Sequence, residues 1–332
     1  MTAADVIDAA IEVPVVPSFT RIGFEVRKRL DHWTPVDSYD LRGRVMVLTG
    51  ATSGLGRAAA FQLAHCGATL VLVGRNAGRN ETVVGEMIEA TGNDAITQVA
   101  ADMGDLDQVR ALAERVLTDH ERLDVLMHNA GALSAERHDA PDGTEATVAS
   151  QVVGPFLLTG LLLEQLATSA PSRVITMSSG GMYTAPLTVS SLEMEADEYK
   201  GAEQYARAKR AQVTLNELWA ERFGHLGIRF HSLHPGWADT PGVDVSLPTF
   251  SKMMRPLLRT AEQGADTLVW LAADDAALAS NGIFWLDRRP RSTHKLPSTR
   301  TSDTLERRDR LWTWVANTAG HQPSLPDARG SR

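Results

Sequence analysis

From Gly43 onward, short runs of β-branched and aliphatic residues alternate with longer stretches whose apolar positions recur every three or four residues. The short runs predict strands at 45–49, 69–73, 96–100, 125–128, 174–177, 228–233 and 283–286. Helical patterns begin near Leu55, Asn80, Asp105, Thr144, Tyr199 and Glu262. Strand and helix in strict alternation are the sequence form of a parallel sheet covered on both faces, wound by right-handed crossovers. The expectation is therefore an α/β fold, doubly wound, with about seven parallel strands and helices on both faces. No internal repeat interrupts it.

The flanks read differently. Residues 1–17 are small, acidic and punctuated by Pro14 and Pro17, so they read as a loosely held arm. In 18–33, Ile22, Val26, Leu30 and Trp33 fall near one helical face, with Arg21, Arg27, Lys28 and Arg29 elsewhere. This short basic amphipathic helix is expected to pack on the body of the domain; its alternative is weak peripheral contact with anionic lipid. After Asp287 the run DRRPRSTHKLPSTRTSD reads as a surface strap, followed by a final helix with Asp303 as N-cap and Leu305, Trp312 and Val315 as its apolar face. The organisation predicted is an arm over 1–42, a central domain over 43–287 and a strap and helix over 288–332.

Composition narrows the function. The chain has 332 residues, 43% of them hydrophobic and 22% charged, which suits a sizeable core. A formal net charge of −8 argues against a nucleic-acid partner, which calls for a basic field. The single cysteine, Cys66, ends an apolar helix and reads as a buried hydrophobe. With no apolar run long enough to span a bilayer and no signal-like N-terminus, the expected location is cytoplasmic. His231 and His234 lack a companion cluster of ligand residues, so no metal is expected.

The first strand runs into Thr49-Gly50-Ala51-Thr52-Ser53-Gly54-Leu55-Gly56, and a helix follows from Arg57. A strand, a glycine turn and a helix N-terminus together offer unpaired N–H groups, here around Ser53, Gly54, Leu55 and Gly56, to a pyrophosphate. This is the sequence form of a Rossmann-type dinucleotide site, although the spacing is T-G-x-x-x-G-x-G rather than G-x-G-x-x-G. At the end of the second strand, where an acidic residue would select NAD, stands Arg75, and Arg57 could add a second cation. A guanidinium suits a 2′-phosphate, so NADP is expected over NAD. Asp102 and Met103 end the third strand and Asn129, Ala130 and Gly131 the fourth; Asp102 is a candidate acceptor for the adenine amino group.

The fifth strand ends in Ser178-Ser179-Gly180-Gly181, and a later helix carries Tyr205 and Lys209 at i and i+4, on one face. A phenol of pKa about 10 exchanges protons poorly near neutrality, and a neighbouring ammonium favours the phenolate. Tyr205 would then protonate a carbonyl oxygen as hydride arrives, with Ser179 orienting that oxygen. Alone, Y-x-x-x-K is common by chance; the order of motifs gives it weight.

In that order T-G-x-x-x-G-x-G, N-A-G, strand-end Ser-Ser and Y-x-x-x-K, spanning about 43–287, resemble the short-chain dehydrogenase/reductase family. The segments RVITMSSGGM at 173–182, HPGWADTPGV at 234–243 and EQGADT at 262–267 look like its dehydrogenase/reductase member 12-like branch. The resemblance implies Ser179, Tyr205 and Lys209 as a catalytic triad, with Lys209 also on the nicotinamide ribose. It implies that His234, Pro235, Gly236 and Thr240 flank the nicotinamide, and that the protein is a homodimer or homotetramer. Gln151 takes the place of the family's usual asparagine, three residues ahead of Gly154, and is carried as a catalytic candidate with an altered proton route. His128 replaces another asparagine and reads as local support.

The expected activity is NADP-dependent interconversion of a small-molecule carbonyl and alcohol. Leu247, Phe250, Met253, Met254, Leu257 and Leu258 read as a cover suited to a lipophilic substrate, and the insert 182–204 as an opposite wall. Rival readings are a nonenzymatic NADP-binding redox-sensing module and a sugar-nucleotide epimerase.

Overall fold

An eight-stranded sheet runs through the chain in the order β3-β2-β1-β4-β5-β6-β7-β8. The computed structural model describes residues 2–239 and 252–325. The strands are β1 (Val45–Thr49), β2 (Thr69–Gly74), β3 (Ile96–Ala100), β4 (Val125–His128), β5 (Ser172–Met177), β6 (Ile228–Leu233), β7 (Ile283–Leu286) and β8 (Arg289–Arg291). β1 through β7 pair in parallel, and every residue of β1, β4 and β5 is buried, as expected for strands covered on both faces. The doubly wound α/β expectation holds, with one correction. Residues 289–291, expected in a strap, form an eighth strand antiparallel to β7. The signal was weak because Pro290 sits in an edge strand of three residues, too short to show alternation.

The helices named here, in chain order, are α1 (Ala3–Glu12), α2 (Val15–Phe19), α3 (Arg21–Leu30), α4 (Gly54–His65), α5 (Ala77–Thr91), α6 (Leu106–Asp119), α7 (Ala146–Val148), α8 (Gly154–Leu161), α9 (Leu163–Thr168), α10 (Gly201–Phe223), α11 (Ala261–Ala273), α12 (Pro297–Ser302) and α13 (Leu305–Thr318). One apolar core, with Leu126, Val174 and Phe230 from the sheet, lies beneath α6, α8, α10 and α13. The second, with Leu48, Leu72 and Ile175, lies beneath α4 and α11 on the opposite face. Leu187 and Leu192 of the 182–204 insert belong to the first core, so part of the expected wall is core. Trp312 and Val315 of α13 are buried there too, but Leu305 is 81% exposed. Thr304, not Asp303, caps α13, by accepting from Arg307 N at 3.3 Å. Asp303 instead pairs with Arg308 at 2.7 Å.

The N-terminal residues are not a loose arm. Thr2 and Asp5 close a capping box on α1, and buried Asp8 is bonded to Arg27 at 2.7 Å and to Arg291 at 2.6 Å. The buried face of α3 also differs from the expected one: Gly23, Phe24 and Arg27 point inward, while Ile22 is 47% exposed. Among the described residues no helix is long and apolar enough to cross a membrane, and no cluster of three or more His, Cys, Asp or Glu could hold a metal ion.

Candidate active site

At the carboxyl end of β1 the chain must turn sharply beside β4, where the strand order reverses and open sheets take their ligands. Gly50 makes that turn at φ +69°, in the left-handed region that favours glycine. A Cβ on Gly56 would lie 2.1 Å from Gly50 O and 2.4 Å from Asn129 Nδ2. Asn129 Nδ2 donates to Thr49 O at 3.0 Å and Gly50 O at 3.2 Å, and Ala130 N donates to Thr49 Oγ1 at 3.1 Å. The two strand ends are thus tied across the crevice by main chain and one amide. Ser53 precedes α4 without a side-chain capping bond. The first-turn N–H groups of α4, which no intrahelical carbonyl can satisfy, and its positive dipole end face outward. A cradle closed to any side chain but open to an anion fits the pyrophosphate of a dinucleotide.

Arg75 follows β2 with its side chain 77% exposed, 3.9 Å from Asp102. Arg57 does not stand free beside it: its guanidinium is bonded to Glu86 at 2.7 Å and stacked 4.6 Å from the Phe61 ring centroid. The second-cation expectation for Arg57 therefore needs a side-chain rearrangement. Asp102 is partly committed as well, accepting from Gly104 N at 2.9 Å. Met103 is buried, and its carbonyl lies 1.9 Å from where a Cβ on Gly154 would sit. That close approach explains the glycine three residues beyond Gln151.

Gln151 and Lys209 meet at Gly131, and Lys209 in turn neighbours Tyr205, which neighbours Ser179. The Ser179 side chain lies near enough to the Tyr205 hydroxyl to favour its ionised form. Lys209 Nζ lies 5.2 Å from the Tyr205 ring centroid and donates to Met177 O at 2.9 Å. A Cβ on Gly131 would be 3.0 Å from Gln151 Oε1 and 3.3 Å from Lys209 Nζ, so a larger residue would press on both groups. Gln151 sits in a π-helical turn, Ala149–Val153, and donates through Nε2 to Ala132 O at 2.7 Å. Such turns aim side chains that a regular helix would not. Ser178 points away, donating to Lys209 O at 3.1 Å, which leaves Ser179 facing Tyr205.

The electrostatics correct one expectation. Burial pushes the Tyr205 phenol up to about 12, with the nearby Ser179 side chain opposing, and pushes the Lys209 ammonium down to about 7. The lysine lies 5.2 Å from the ring centroid, and burial outweighs the groups nearby, so these protein groups alone do not favour the phenolate. His128 is support, as expected: its Nε2 shares a hydrogen bond with Thr159 at 2.8 Å, and burial holds it neutral down to about 3.

Beyond β6, His234 is buried and its Nδ1 accepts from Gly236 N at 3.1 Å. Gly236 has φ +73°, and Pro235 O accepts from Arg259 at 3.1 Å. Met253 is 71% exposed while Leu258 is buried, so the expected cover is not uniformly apolar-in. Thr240, Leu247 and Phe250 lie outside the described residues. Residues unforeseen from sequence complete this end: Phe19, whose ring centroid is 4.4 Å from that of His234, and the buried Arg27, Arg259 and Asp287.

Residues 44–248 match the family model described as short chain dehydrogenase. The chain belongs to the short-chain dehydrogenase/reductase family. It is 39% identical to the human dehydrogenase/reductase SDR family member 12 over 87% of this chain and 90% of that one. Human retinol dehydrogenase 11 is 31% identical over 79% of this chain and 83% of its own. A Shigella flexneri 2a structure solved in complex with NADP is 25% identical, with a TM-score of 0.60, covering 75% of this chain and 98% of that one. The family and the relatives named as dehydrogenases and reductases make this an oxidoreductase acting on CH–OH and C=O groups with a nicotinamide cofactor.

Proposed function

We propose that the protein is an NADP-dependent oxidoreductase interconverting a lipophilic carbonyl compound and its alcohol, with Tyr205 as proton donor and acceptor. The observation that carries the reading is the chain of neighbours Ser179, Tyr205, Lys209 and Gln151, the last two meeting at Gly131. A nicotinamide cofactor, when bound in that cradle, supplies the hydride. Tyr205 Oη gives its proton to the substrate oxygen as that oxygen gains negative charge, and Ser179 Oγ hydrogen-bonds the same oxygen and fixes its orientation. Lys209, held by Met177 O, keeps a cation or its proton within reach of the tyrosine. Gln151 donates through Nε2 to Ala132 O and keeps a buried, unpartnered Oε1, which can hold a water that passes the proton on.

Arg75 supports NADP over NAD. Its exposed guanidinium follows β2, the strand end at which folds of this kind recognise the adenosine ribose, a guanidinium suits a 2′-phosphate, and the Shigella structure was solved with NADP. A lipophilic substrate is in keeping with the likeness to a retinol dehydrogenase. The test is a screen of ketones, aldehydes and secondary alcohols with NADPH, NADH and their oxidised forms. Turnover of a carbonyl with NADPH is expected. Equal efficiency with NADH would overturn the cofactor reading, and no turnover across the panel would overturn the activity.

A further inference from the structure

Phe19, the last residue of α2, touches both loops that frame the catalytic cluster. A Cβ on Gly180, the residue after Ser179, would lie 2.7 Å from Phe19 Cε2. On its other side the Phe19 ring meets His234 and Trp237 edge-on, with centroids 4.4 Å and 5.7 Å away. Its carbonyl accepts from Trp237 N at 2.7 Å and would lie 2.6 Å from a Cβ on Gly236. One residue from the N-terminal segment thus spans the gap between the Ser179 loop and the loop after β6.

Buried charge holds Phe19 there. Asp287 accepts from Arg27 at 2.7 Å and from Arg259 at 2.5 Å and 2.9 Å, and all three residues are essentially inaccessible to solvent. Arg259 also donates to Ser18 O at 3.0 Å, Thr20 O at 3.3 Å and Pro235 O at 3.1 Å, clasping the main chain on both sides of Phe19 and the start of the loop after β6. Asp287 sits at φ +54° and Arg288 at φ +54°, conformations that non-glycine residues adopt only under compulsion. Phe19, Met182, Tyr183 and Phe284 form a small apolar cluster separate from the two main cores, with Trp237 packed against it.

We propose that the N-terminal segment is part of the substrate site: Phe19 sets the separation of the Ser179 loop and the His234–Trp237 loop, and so the size of carbonyl substrate accepted. The inference rests on the proposed activity for its substrate, but its positioning part stands on contacts alone. A short side chain at position 19 lets the two loops close or part, and bulky and small ketones then respond unequally.

The test uses full-length Phe19→Ala and Phe19→Leu. With NADPH, kcat/KM is measured for cyclohexanone and for 2-acetylnaphthalene, and NADPH affinity by fluorescence titration. Phe19→Ala is expected to shift the ratio of the two kcat/KM values at least tenfold while NADPH affinity stays within threefold, with Phe19→Leu between it and the wild type. Amide exchange at Gly180, Gly181 and Trp237 is expected to quicken at least tenfold, with α5 unchanged. An unchanged ratio, or equal loss on both ketones, overturns the specificity role. Unchanged exchange at those amides overturns the positioning role, and this reading remains available if the wild type reduces neither ketone, a result that counts against the proposed activity instead. Should Phe19→Ala fail to fold, Phe19→Leu carries the same readouts.

Discussion

At the β1–β2 end of the crevice the main chain itself makes the site, through Gly50, Gly56 and the first turn of α4. At the β6–β7 end, side chains from segments more than two hundred residues apart hold the loop after β6, as in the bond of Arg27 to Asp287 and those of Arg259 to Ser18 O and Thr20 O. The first end is built by omission, since a Cβ on Gly56 would meet a carbonyl oxygen that cannot yield. The second is built by compensation: the guanidinium groups of Arg27 and Arg259 and the carboxylates of Asp287 and Asp8, all buried, are tolerated because they satisfy one another and nearby carbonyls. A site made by glycines tolerates no added atom, whereas a site made by buried ions tolerates no missing one.

The largest expected effect lies at the ionic end. Asp287→Asn leaves the buried Arg259 guanidinium without its carboxylate and is expected to cost about 3–5 kcal/mol in urea-unfolding stability. Glu86→Gln, which releases the exposed Arg57 pair, costs less than about 1 kcal/mol in the same measurement. Equal costs would erase the contrast between buried and surface ions.

At the glycine end, Gly56→Ala is expected to weaken NADPH binding about a hundredfold, some 2.7 kcal/mol, in a fluorescence titration. A loss under threefold would mean that the cradle is not made by close main-chain approach.

Much of this contrast follows how each end is written in the chain. Gly50, Ser53, Gly54 and Gly56 lie within seven consecutive residues after an apolar run, so their meaning is local and was legible, as were Tyr205 and Lys209 one turn apart. Phe19, Arg27 and Arg259 carry no local signal. Arg27 looked like one of several solvated cations on α3, and only its distant partners Asp8 and Asp287 turn it inward. The eighth strand escaped notice for a related reason, because its pairing with β7 depends on the Asp287–Arg288 turn rather than on an apolar pattern. Burial also reversed the simple reading of the lysine: geometry, not adjacency in sequence, decides whether an ammonium reaches a phenol oxygen.

Acid sensitivity tests burial in the sheet itself. Burial lowers His128 to about 3 and His231 to about 4, below the unfolded value near 6.5. Below pH 6.5 the unfolded chain therefore binds protons that the folded chain refuses, and stability falls as pH falls, until the folded pKa values are reached. At pH 5 each histidine is expected to cost about 2 kcal/mol relative to pH 7.5. His128→Asn should flatten the profile of urea-unfolding free energy against pH by that amount, and an unaltered profile would contradict its burial as a neutral ring.

The smaller of the two cofactor effects is expected at the exposed rim. Arg75→Asp should reduce the ratio of kcat/KM for NADPH over NADH about tenfold, roughly 1.4 kcal/mol, without altering stability. A preference that survives the change would move 2′-phosphate recognition elsewhere.

The most direct test of the account is the rate of the chemical step in Tyr205→Phe, measured in a single turnover with saturating NADPH on a ketone that the wild type reduces. Loss of the proton donor with the ring retained is expected to slow that step at least a hundredfold while NADPH affinity remains within threefold. An undiminished rate in that variant would contradict the assignment of Tyr205 as the acid and base of this enzyme.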